Sequence, residues 1–140
     1  MIEPNTPPAG GDSGRPSPRI SWAAVVGFGT LGLLWPLLRL IGSESLVGGL
    51  GTALIAFLGT FIVWVVGAGF GDVPRPVLTL TLSGLLFGSL LAVSAMLMGE
   101  WPDHGPGLTV VAAVIEIGRA AGFGALTGLV AGAIQKVRHR

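Results

Sequence analysis

Four long apolar runs, separated by short stretches of turn residues, set the pattern of the chain. They cover about residues 22–41, 46–69, 77–98 and 108–134. Each is about 20 residues or longer, the length of helix that crosses the roughly 30 Å hydrocarbon layer of a bilayer. The breaks are turn chemistry: Gly42-Ser43-Glu44-Ser45, then Gly71-Asp72-Val73-Pro74-Arg75-Pro76, then Gly99 to Gly107 with Pro102 and Pro106. This pattern predicts an all-α fold, a four-transmembrane-helix bundle running up-down-up-down through short loops. Pro36 lies inside the first run and removes one backbone hydrogen bond, which predicts a kink near Gly32 to Trp35.

The flanks differ in kind. Residues 1–19 hold Pro4, Pro7, Pro8, Pro16 and Pro18 among Gly, Ser and Asp, with little apolar surface to bury. Such a segment is expected to be a disordered tail. The transmembrane domain is expected over 20–134. Gln135-Lys136-Val137-Arg138-His139-Arg140 then forms a basic tail suited to anionic lipid. Arg15, Arg19, Arg75, Lys136, Arg138 and Arg140 all fall on one side of a four-span chain, while the other two loops contain no Lys or Arg. The positive-inside rule therefore predicts cytoplasmic N and C termini.

Composition narrows the function class. Hydrophobic residues make up 51% of the 140 and charged ones 11%, against about a quarter charged in soluble domains. Mean hydropathy is +0.78. A soluble enzyme is excluded, and with no cysteine so are disulfides, thiolate catalysis and thiolate zinc sites. A net charge of +1 gives no footprint for nucleic acid. The Gly-, Ala-, Val- and Arg-heavy, Lys-poor usage resembles that of GC-rich bacterial genomes, which points to a bacterial plasma membrane.

Small residues recur at helical spacing, as they do where transmembrane helices touch. Thr81, Gly84, Gly88, Ala92 and Ala95 mark one face of the third run. Gly124, Gly128 and Gly132 mark the fourth, with Gly118, Ala121, Gly122 and Ala125 expected to widen the same side. Ala53, Ala56, Thr60 and Gly67 mark the second. Gly27-Phe28-Gly29-Thr30-Leu31-Gly32 spells a dinucleotide-binding fingerprint but sits inside an apolar run with no preceding strand, so no nucleotide is expected. Gly51-Thr52-Ala53-Leu54-Ile55-Ala56-Phe57-Leu58-Gly59 is superficially similar to a pore segment of fluoride channels. Ala56 stands where those channels have asparagine, so no family follows from it.

Glu116 and Arg119 are the residues out of place in lipid. A charge at membrane depth costs a few kcal/mol, so an intramembrane pair is a candidate site. Their i,i+3 spacing puts them on one helix face, and Arg119 leans back towards Glu116. Arg39, near the end of the first run, is a candidate third member facing an outer vestibule. Glu100, Asp103 and His104 are too sparse a set to predict a metal site, and no cofactor is expected.

No paired acids, nucleophile or metal set shares a span, so the expectation is a non-catalytic accessory subunit acting by helix packing. Its expected partners are the bilayer and either a second copy or another membrane protein. The alternative is a homo-oligomeric channel or small transporter using Glu116 and Arg119.

Overall fold

The computed structural model describes residues 19–99 and 105–140. Among them all regular structure is helical: α1 (Trp22–Gly29), a 3-10 stretch (Thr30–Leu33), α2 (Leu34–Leu40), α3 (Ser43–Phe70), α4 (Pro76–Leu97) and α5 (Pro106–Arg138). Trp22–Leu40, Gly48–Phe70, Pro76–Leu97 and Pro106–Arg138 are each long and apolar enough to cross a membrane. The helical character expected from the apolar runs therefore holds, with four helices of membrane-crossing length and composition. Residues 1–18 of the expected tail, and Glu100, Asp103 and His104, lie outside the described residues.

Helix ends follow local chemistry. Ser21 caps α1, its side chain accepting from the Ala24 N–H at 3.3 Å. Pro76 and Pro106 open α4 and α5, where a missing N–H costs nothing. The 3-10 stretch falls one turn before Pro36 and overlaps the expected kink region at Gly32 and Leu33. Pro36 has no N–H for the Gly32 carbonyl, so the preceding turn tightens instead.

The second apolar run departs from expectation at its start. Gly48 takes φ 73° and ψ 165° and breaks the helical path, so the continuous span begins at Gly48 and not at Leu46. Only Gly42 of the expected Gly42–Ser45 turn leaves the helix, at φ 74°, and Ser43 onwards is already helical. At the other end of the chain α5 runs on to Arg138, well past Ile134, because polar contacts hold its last turn.

Sequence neighbours are not all spatial neighbours. The closest pair is α4 with α5; α1 lies along α4, and α3 lies along α5. The consecutive helices α3 and α4 stand diagonally, with their backbones apart, and meet through side chains such as Trp64 and Phe87. Large apolar side chains such as Leu50, Ile62, Leu97, Val114 and Leu126 point outwards, while Thr52, Thr60, Thr79, Ser83 and Thr127 are buried. Ser83 donates to the Thr79 carbonyl at 2.9 Å and Thr127 to that of Phe123 at 2.7 Å, each within its own helix, while Thr79 donates to the Pro74 carbonyl before α4 at 3.0 Å. This apolar outer surface suits lipid as solvent.

The α4–α5 seam is made of glycine. A Cβ on Gly84 would strike the Ala120 carbonyl, and one on Gly124 the Leu80 carbonyl. On Gly128 it would stand 2.5 Å from Val77 Cα, and on Gly88 3.0 Å from Ile117 Cα. Contacts that climb α4 descend α5, so the two helices run antiparallel. Gly132 is looser, 3.4 Å from Pro76 Cγ. Gly118 and Gly122, expected on the same side, instead face outwards with nothing within 4 Å. They lie about 120° around the helix from Gly124 and Gly128 at 100° per residue.

Trp64 fills the centre. It is fully buried, and its indole N–H donates to the Phe28 carbonyl at 3.1 Å. Phe87 meets it edge-on at 5.6 Å and Phe123 tilted at 5.7 Å, so one ring from α3 ties together α1, α4 and α5.

Backbone contacts cannot relax as side chains do, so Gly124→Val should cost about 3 kcal/mol or more, whereas Gly122→Val should stay within about 1 kcal/mol. Thermal unfolding of both variants in the same detergent checks the difference.

Candidate functional site

The structure brings Glu116 and Arg119 together as their spacing predicts. Arg119 donates to Glu116 Oε2 at 3.0 Å. Their depth follows from the glycine seam, because Gly88 packs on Ile117 Cα and the Glu116 carbonyl. Gly88 lies about 18 Å along the roughly 33 Å of α4 at 1.5 Å per residue. The same level crosses span one at its middle, where Gly32 meets the Phe87 backbone. The pair therefore stands close to mid-depth in the bundle, well away from either end.

The two charges point in different directions. Arg119 is outward-facing, with 73% of its side chain exposed, while Glu116 is half-buried at 37%. Glu116 forms part of the wall of a cavity of about 660 Å³ that all four spans line and that opens to the outside, where Leu54 and Phe57 are exposed. Five alanines make the room: Ala53 and Ala56 from α3, Ala92 and Ala95 from α4, and Ala112 from α5. Trp35 and Phe57 give it aromatic walls. Trp64 and its ring partners fill the bundle on the other side of Phe57, which touches Phe123 at 4.7 Å. Arg39 sits half-buried in the last turn of α2 and is not among the residues lining this cavity.

A second polar group forms at the opposite end of the bundle. The last carbonyls of α3 have no partner in their own helix, and α5 supplies donors. Gln135 Nε2 donates to the Ala68 carbonyl at 2.8 Å and to that of Val73 at 3.2 Å. Arg138 donates to the Gly69 and Phe70 carbonyls, each at 3.2 Å, and lies over the Phe70 ring. Asp72, at φ 48°, meets Arg138 at 3.7 Å and His139 at 3.1 Å. Residues expected as a lipid-anchoring tail thus cap another helix.

Sequence reasoning passed over this clamp and the cavity. Gln135 and Arg138 share a helix face by their i,i+3 spacing, a signal that was present but reads equally as a solvated helix end. The cavity had no signal, because five alanines on three helices converge only in the folded bundle. Trp64 had one: an indole deep inside a span needs an acceptor for its N–H.

No protein-family model matches the chain, and neither a curated protein nor a solved structure matches it.

Removing one member of the pair strands the other at mid-depth. Glu116→Gln alone should cost about 2.5–3.5 kcal/mol in a bilayer, the penalty for a lone central arginine. Glu116→Gln with Arg119→Gln should cost less than either single change. Melting of the three variants in nanodiscs gives the comparison. At the other end, Arg138→Ala should cost about 1 kcal/mol, since its bonds are partly exposed to water.

Proposed function

We propose that this protein is a non-catalytic accessory subunit of a bacterial plasma membrane, with both termini cytoplasmic, that acts by helix–helix association within the bilayer. One observation carries the reading: a guanidinium at mid-depth with 73% of its side chain exposed on the outside of the bundle. Lipid tails offer that group no hydrogen-bond acceptors, whereas another protein helix does. The surface around it suits such a partner. Gly118 and Gly122 lie beside Arg119 with open space before them, and Val111, Ile115, Leu126 and Leu129 extend an apolar face along α5.

Orientation rests on charge. Arg75, Lys136, Arg138 and Arg140 gather at the end of the bundle where α5 clamps the α3–α4 loop, and basic loops are retained on the cytoplasmic side. Conduction is the weaker reading. Apart from the Trp35 indole, Ser94 and Glu116 are the polar side chains on the cavity wall, and Glu116 is engaged with Arg119. An apolar wall with one paired acid does not replace an ion's hydration shell.

Purification of a tagged copy from its native membrane in mild detergent should yield a second chain in fixed stoichiometry. Gly122→Leu, which leaves the α4–α5 seam alone, should release that chain while the subunit stays folded. Recovery of a closed oligomer of this chain alone would overturn the accessory role and favour the channel.

A further inference from the structure

We infer that the cavity beside Glu116 is a binding site for an uncharged, largely apolar molecule with a hydrogen-bond-donating head, a long-chain alcohol in its simplest form. A volume of about 660 Å³ lies within the roughly 300–1,000 Å³ of sites that hold small organic ligands. Its walls are alanine, leucine, methionine and two aromatic faces, so most of any occupant must be apolar. One strong acceptor interrupts them. Glu116 Oε2 takes the Arg119 guanidinium at 3.0 Å, and Oε1 carries no hydrogen bond among the described residues. Ser94 does not compete as a donor, because its hydroxyl proton goes to the Leu91 carbonyl at 2.9 Å.

Charge decides the head group. Arg119 already neutralises Glu116, so a cationic ligand would leave a net positive charge at mid-depth, the situation that makes intramembrane ions costly. An anion would meet the carboxylate directly. A plain hydrocarbon fills the space but leaves a partly desolvated carboxylate oxygen without a donor. A neutral O–H or N–H satisfies that oxygen as a charge-assisted bond and keeps the site neutral. Trp35 and Phe57 then offer flat apolar surface to the rest of the molecule.

The test uses the full chain in phospholipid nanodiscs and two photoreactive probes, a diazirine-bearing long-chain alcohol and the same chain without its hydroxyl. After irradiation, mass spectrometry maps the adducts. The alcohol should label residues 53–57, 91–98 and 112 in preference to the hydrocarbon. Glu116→Leu with Arg119→Leu keeps the net charge and should lower alcohol labelling there about tenfold, the factor for one lost charge-assisted bond, while hydrocarbon labelling stays unchanged. Ala95→Phe fills the cavity without touching the acid and should lower both. Equal labelling by the two probes in the unaltered protein would overturn the proposal and make the cavity a lodging for lipid tails. So would alcohol adducts confined to outward residues such as Leu126 and Leu129. Both of these outcomes are read on the unaltered chain, whether or not the variants fold.

Discussion

Lipid does not press apolar helices together, so a bundle in a bilayer holds only where backbones come close enough for dense van der Waals contact. In this protein that contact is the α4–α5 seam. Gly84, Gly88, Gly124 and Gly128 bring the two backbones into direct touch, with carbonyls of Leu80 and Ala120 where a side chain would otherwise stand. Everything else is hung on this pair. α1 lies on the far side of α4 through Gly29 and Gly32, which meet Leu86 and the Phe87 backbone. α3 lies on α5 through its aromatic residues and, at the end, through Gly69 against Ile134. The seam also sets the depth of the ion pair, because the register that places Gly88 on Ile117 fixes Glu116 and Arg119 near the middle.

The bundle is filled differently along its length. Towards the termini, Trp64 with Phe28, Phe87 and Phe123 closes the centre, and its indole finds a carbonyl on the facing span. Beyond Phe57, alanines take over and leave the cavity beside Glu116, which is open to the outside of the bundle. The same protein therefore holds one tightly packed half and one half hollowed by a side-open cavity. The charge sits near the border between them, facing the hollow with its acid and the outside with its base. A pair used only to fix helix register would be equally well served by burying both members; this one presents each to a different surface.

The clamp at the other end answers a separate demand. The end of a helix leaves carbonyls without partners in their own helix, and the close of α3 is one such end. Gln135 and Arg138 reach across from α5 and supply the donors. The contact ties the last turn of α5 to the α3–α4 loop, so that the connection between the two diagonal helices is held by a third.

The sequence by itself determined the number of long apolar helices, their approximate ends, an irregular turn before Pro36 and the nearness of Glu116 to Arg119. These are local properties: run length, turn residues, a missing N–H and an i,i+3 spacing all act within one helix. Gly84, Gly88, Gly124 and Gly128 were legible as a packing stripe for the same reason, since 3.6-residue periodicity is written along the chain. Gly118 and Gly122 looked equivalent but face outwards, because which side of a helix meets a neighbour depends on the neighbour. Only the tertiary structure decided that α3 and α4 are diagonal, that five alanines from three helices leave a cavity, and that Arg138 caps a helix 69 residues earlier in the chain. Each of those depends on the relative rotation and register of separate helices, and in a bilayer that is set by shape fit between faces, not by any pattern within one of them.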